Sequence, residues 1–206
     1  MSRLLVGLGC ILLSGSALAQ VTTAPLPAPP SEHPPLRVGL MVGVINVPRP
    51  LSAELFTKVY DVVGFGFSYS AIPSGLGDAA LQLFNVKDAT FSSSALDGEV
   101  RLFPFRGSFF LGSALGRQTL SATVTRQGQP VSADVTTLYA TPRLGWLAIW
   151  DSGLSLELDL GVQLPISSDA QISGGNADAR SQAQSIANAV GQTALPSVGF
   201  RLGYFL

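Results

Sequence analysis

The 206-residue chain is 47% hydrophobic and 12% charged, with 22 glycines and a formal net charge of −1. That balance excludes the basic field of a nucleic-acid partner, and a charged fraction well below the usual ~25% is odd for an exported water-soluble globule. One cysteine and one histidine leave no material for a disulfide framework, and they exclude most zinc chemistry and most histidine-based catalysis, so no cofactor and no metal are expected.

Residues 1–19 read as a secretory signal peptide. Arg3 supplies the positive start, Leu4 to Leu13 a short apolar core, and Ala17-Leu18-Ala19 a small-x-small cleavage site. The core falls short of the ~20 residues that span a bilayer. Gly7 stands where a lipobox carries Leu, so Cys10 is read as discarded with the signal and not as a lipid anchor. Residues 20–36, including TTAPLPAPPSEHPPL, form a Pro-rich periplasmic leader, extended and polyproline-like, with His33 as a solvated linker residue. No apolar run of about 18 residues follows, which excludes a helical span. The other way across a membrane is a closed β-barrel, in which strands pair every backbone group.

From Arg37 the chain alternates by twos. Val38, Leu40, Val42 and Val44 oppose Gly39, Met41 and Gly43. After the turn NVPRP, Leu51, Ala53, Leu55 and Thr57 oppose Ser52, Glu54, Phe56 and Lys58; reading 48–59 as a loop instead would give seven strands. Val63, Phe65, Phe67 and Tyr69 follow a tight turn at 60–61, and a long stretch over 72–93 precedes Leu96, Gly98, Val100 and Leu102. The turn PFRG leads to Phe109, Leu111, Ser113 and Leu115, and a polar loop is expected over 120–135. Next come a strand from Leu138 to Trp150, the turn DSG, the stretch LSLELDLGVQL at 154–164, a loop over 165–195 and a last strand, Val198–Leu206. Pro142 lacks a ladder N–H, so a bulge or a lost rung is expected there.

The pattern predicts an all-β fold: an eight-stranded antiparallel up-and-down transmembrane barrel over residues 37–206, with strands of about 9–11 residues. Tyr60, Phe105, Phe109, Trp146, Trp150, Tyr204 and Phe205 gather at the ends assigned to the inner interface, where an aromatic girdle is expected. A secreted β-sandwich also alternates, but its polar face would carry many Lys, Glu and Thr. Here the second face is Gly-rich.

The final segment, SVGFRLGYFL, resembles the C-terminal recognition strand of bacterial outer-membrane proteins, although members of that class usually end on Phe or Trp and this chain ends on Leu206. EVRLFPFRGSFFLGSALGRQ, 99–118, resembles a strand–turn–strand unit of small outer-membrane barrels. The resemblance is to the eight-stranded OmpA/OmpX-type class. It implies an outer-membrane location in a Gram-negative cell envelope, lipid contact, and the barrel-insertion machinery as a partner. It does not imply one activity, because such barrels serve as anchors, adhesins, lipid enzymes and minor channels.

With the aliphatic face in lipid, the lumen receives Glu54, Asp97, Glu99, Glu157 and Asp159 together with Lys58, Arg101, Arg143 and Arg201. An eight-stranded barrel is just wide enough to be filled by side chains, and buried charges must be paired, so this near balance predicts a salt-bridge plug. The alternative is a Glu157/Asp159 pair in acid–base work, about 6.6 Å apart along the strand. The barrel holds no histidine, which argues against the lipid-directed hydrolases of such barrels. The expected role is structural or surface-interaction and not enzymatic, with a narrow passage for small or apolar solutes as runner-up. An extracellular ligand could sit at the outer loops, where NADARSQAQSIANAVG (176–191) has Ala179, Ala183, Ile186 and Val190 at helical spacing. A short helix over the mouth and an irregular loop are equal readings of it.

Overall fold

Alternation at period two from Leu36 onward folds into strands that each turn one set of side chains inward and the other outward. The computed structural model describes residues 35–83, 89–126, 129–175 and 177–206. The expected signal peptide with Cys10, and the leader through Pro34 with His33, lie outside the described residues. The elements are β1 (Leu36–Gly43), β2 (Leu51–Val59), β3 (Val63–Ile72), α1 (Ser74–Leu83), β4 (Ala89–Leu102), β5 (Phe109–Arg126), β6 (Gln129–Ile149), β7 (Leu154–Gly174), α2 (Ala177–Gly191) and β8 (Leu195–Phe205). The eight strands close into one antiparallel barrel in sequence order. β2 is a full strand, paired to β1 from Leu36↔Val59 to Gly43↔Ser52 and to β3 along its length.

One end of the barrel carries the tight turns. Tyr60, Asp61 and Arg106 take positive φ there, and Gly153 does so in the turn DSG. The opposite end is uneven. β5, β6 and β7 run for 18, 21 and 21 residues, so the loop expected over 120–135 is instead a continuous hairpin, paired from Phe109↔Trp146 to Arg126↔Gln129. The first part of the loop expected over 165–195 is likewise strand, and β7 pairs with β6 up to Gly174↔Val131.

Together with the first residues of β4 these extensions form a wall above the short side of the barrel. β3 reaches β4 only as far as Ile72↔Ser93, and β8 reaches β7 only as far as Leu195↔Gln163. Both edges of the wall would expose unpaired ladder groups, and a helix covers each. Asp78 of α1 accepts a hydrogen bond from the Phe91 amide at 3.1 Å. On the other edge Arg180 and Gln184 of α2 donate to the Gly174 and Ala170 carbonyls at 2.8 and 3.3 Å. Of the two readings of 176–191, the helix is the one that forms.

Pro142 does not bulge its strand. Ala140↔Leu164 and Arg143↔Gly161 keep one register around it, with the rungs between them toward β7 absent. The bulge comes higher, between Leu138 and Tyr139, opposite Pro165-Ile166, where the extra residue on β7 accommodates a proline with no N–H to give.

β1 and β8 meet over only four rungs, Gly39↔Phe205 to Val42↔Leu202. Above them a side chain stands in for the ladder: Asn46 accepts a hydrogen bond from the Phe200 amide at 2.7 Å. Val47 then pairs with Val198 as an isolated bridge, and the β1–β2 connection is thereby folded back over the mouth of the lumen.

Candidate functional site

The lumen is filled in layers, each set by which odd or even residue a strand turns inward. Lowest, at the turn end, the Lys58 ammonium meets Asp61 at 3.1 Å and the Gly107 carbonyl at 3.1 Å, and lies 4.3 Å from the centre of the Phe103 ring. Lys58 is therefore separate from the arginine network that was expected to include it.

Above it sits an aromatic floor of Met41, Phe56, Phe103, Phe110, Leu147 and Phe205, all buried. The rings meet edge-on or tilted, Phe56 with Phe103 at 6.5 Å, Phe56 with Phe205 at 6.2 Å, and Phe103 with Phe110 at 5.8 Å. Phe205 is a correction: expected in the aromatic girdle at the inner interface, it is 3% exposed and points into the lumen. Its parity explains this, since it shares the face of Arg201. A Cβ on Gly39 would lie 2.6 Å from the Phe205 ring, so the small residue opposite makes room for the large one. The other girdle candidates, Tyr60, Phe105, Phe109, Trp146, Trp150 and Tyr204, stay on the outward face or the turns at this end. Phe109 packs on Trp146 at 5.0 Å and on Phe105 at 6.1 Å.

The charged layer rests on the floor. Arg101 is wholly buried, with Nη2 2.7 Å from Glu54, Nη1 2.6 Å from Glu157, and an ion pair to Glu99. Its guanidinium lies 4.3 and 4.7 Å from the ring centres of Phe56 and Phe110 below, so aromatic faces take up the side of the cation that no carboxylate covers. Arg201 holds Glu157, Asp159 at 3.1 Å and Glu54 at 3.3 Å, and Arg143 lies 3.0 Å from Glu99 and 3.9 Å from Asp159. Glycines make the berths: a Cβ on Gly66 would fall 2.6 Å from Glu54 Oε1 and 2.7 Å from Glu99 Cγ. The Gly-rich inner face is the space in which the carboxylates lie.

Asp97 belongs one layer higher, without an arginine of its own. It accepts hydrogen bonds from the Tyr139 hydroxyl and from Ser68, the latter at 3.3 Å. The principal cation of this layer is Arg49, a residue that period-two reading passes over because it sits in the turn between Pro48 and Pro50. Folded into the mouth and 7% exposed, it donates to Ser70 at 2.7 Å, to Tyr139 at 3.0 Å, to Gln163 at 3.3 Å and to Gln118. Tyr139 was visible in sequence as an aromatic on an otherwise polar face. A cavity of about 40 Å³ lies between Arg49, Asp97, Arg143 and Arg201, space for a few waters.

Above Gln118 and Thr137 the pattern inverts. Leu120, Ala122 and Val124 of β5 and Val131, Ala133 and Val135 of β6 face inward and line one side of a cavity of about 440 Å³. Ser121, Thr123, Ser132 and Asp134 take the outward face, with Ser121 donating to Asp134 at 2.6 Å and Thr123 bonded to Ser132 at 3.0 Å. Phe91 and the α2 residues Ala183, Ile186, Ala187 and Val190 complete the cavity.

Chemically, the charged layer offers no free acid–base pair. Glu157 and Asp159 are held by the same Arg201 Nη1, and Glu157 is held by Arg101 as well. A carboxylate clamped in this way is occupied as structure.

No family model and no curated protein matches the chain. Among solved structures it is similar in outline to crystal structures of Acinetobacter baumannii CarO2 (10% identity, TM-score 0.45) and CarO (15% identity, TM-score 0.46). The matches cover 82% of this chain and 98% and 97% of those chains, respectively.

Proposed function

We propose that this chain is an integral outer-membrane barrel of the small OmpA/OmpX-type class, with a sealed lumen and a structural or surface-interaction role. One observation carries the reading: along β7 the outward face is unbroken aliphatic from Leu154 to Leu164, with Ile166 at the bulge, and turns polar at Ser167 and Asp169. At ~3.3 Å per residue and a tilt near 40°, the segment 154–166 rises about 30 Å, the thickness of a bilayer's hydrocarbon core. The exposed aromatics at the turn end fit a headgroup-level girdle. Short periplasmic turns are the rule for such barrels, which supports an orientation with the turns and termini toward the periplasm and the wall toward the outside. Export through signal peptide 1–19, a periplasmic leader at 20–36, and recognition of SVGFRLGYFL by the insertion machinery belong to the same reading.

The layered lumen supports sealing over passage, and the clamped carboxylates support a non-enzymatic role. In planar bilayers the full exported chain is expected to give no steady current. A steady ohmic conductance in the unmodified protein would overturn the sealed reading in favour of a narrow passage.

A further inference from the structure

The geometry points to a binding site in the outer cup for a small, uncharged, largely aliphatic molecule taken from the external solution. It rests on the outer-membrane reading for its orientation only. Every described residue lining the 440 Å³ cavity is apolar, and one, Phe91, is aromatic; its volume falls in the range of small-molecule sites, about 300 to 1,000 Å³. Among the described residues no ionisable group lines it, so there a charged ligand would lose its hydration without gaining a partner.

Three further observations choose the occupant. The cavity has an open side, since Ile186 and Val190 of α2 are 59% and 46% exposed although they line it. Its wall is polar behind, with Ser121, Thr123, Ser132 and Asp134 outward, so the bilayer does not reach it through the sheet. Below, Arg49, Gln118, Gln163 and Tyr139 close the lumen with hydrogen bonds, which makes the cup a capture site and not the mouth of an apolar passage. A second copy of the chain is a poorer fit, because a stable protein interface needs roughly 800 Å² per partner and this surface is a recess.

The test uses the full exported chain in nanodiscs, with 1-decanol as probe and side-chain methyl NMR as readout. Saturable shifts are expected at Leu120, Val124, Val135, Ile186 and Val190, while outward Leu111 and Leu144 change only in proportion to probe added. Ala187→Leu and Ala122→Leu each place bulk inside the cup and are expected to weaken binding roughly tenfold or more. Retention of the unboiled gel shift shows that each variant is folded. Equal affinity in both folded variants, or shifts confined to lipid-facing methyls, would overturn the proposal. So would cup shifts that depend on protein concentration without probe, which would mean a second copy sits there. Bilayer conductance is measured separately, so a conducting barrel that still binds decanol would fail the sealed reading and leave this one standing.

Discussion

At the residue scale the inner charges are distributed as parity dictates. Glu54, Glu99, Arg101, Arg143, Glu157, Asp159 and Arg201 were legible because a strand leaves only two faces, and the aliphatic one was evident. What parity could not supply was height: Lys58 and Asp97 share the face but sit below and above the network. Arg49 was illegible because its position is set by a turn folded into the mouth. Arg101→Ala is expected to cost about 3–5 kcal/mol, because Glu54, Glu99 and Glu157 would be left buried against too little positive charge. The urea midpoint of the refolded barrel measures it, and a cost below that of an ordinary surface substitution would contradict the plug. Phe205→Ala should cost a similar ~3–5 kcal/mol by leaving a hole in the aromatic floor. A girdle residue placed at Phe205 would lose much less, and that outcome would refute its inward placement.

At the element scale the unexpected feature is that β5, β6 and β7 each serve two environments. Alternation continues through residues 120–135, but the apolar set moves to the inner face, and Ser and Thr take the outer one. Read for a single solvent arrangement, that segment passes for a polar loop. The spacing at 177–191 left helix and irregular loop as equal readings, and the unpaired edge of β7 is what the helix covers. The inversion sets a contrast on one wall. Leu160→Arg on the outward face of β7 is expected to destabilise by about 2–4 kcal/mol, as for a charge near a bilayer's midplane, and Thr123→Arg on the outward face of β5 by about 0–1 kcal/mol. Unfolding from lipid vesicles reads both, and equal costs would remove the boundary placed between them.

At the scale of the whole molecule, stability comes from a closed ring with buried ion pairs at its centre. Ion pairs between groups as buried as Arg101, Glu54 and Glu157 are screened far less by salt than surface pairs. The urea midpoint should therefore stay nearly constant from about 0.05 to about 1 M NaCl. A steep fall with salt would mean the network is hydrated and open. Eight strands in sequence order were legible from the repeat of alternating runs and turns. The unequal height of the ring was not, because on the outer-membrane reading proposed above it depends on where lipid ends, which a strand records only as a change of face.

The short seam between β1 and β8 has a consequence for assembly. The charged layer draws on β2, β4, β6, β7 and β8, and Arg201 reaches Glu54 only when the first and last strands are side by side. An unzipped intermediate would keep Arg201 beside Glu157 and Asp159 on the paired strands β7 and β8, but would leave Glu54 on β2 away from Arg201 and Arg101 on β4 away from Glu157. Joining the four-rung seam is thus the same event as completing the ion pairs that cross the lumen. The last stitch of the ring acts as a checkpoint: a chain with a mismatched charge inside can make every other hairpin and still fail to close.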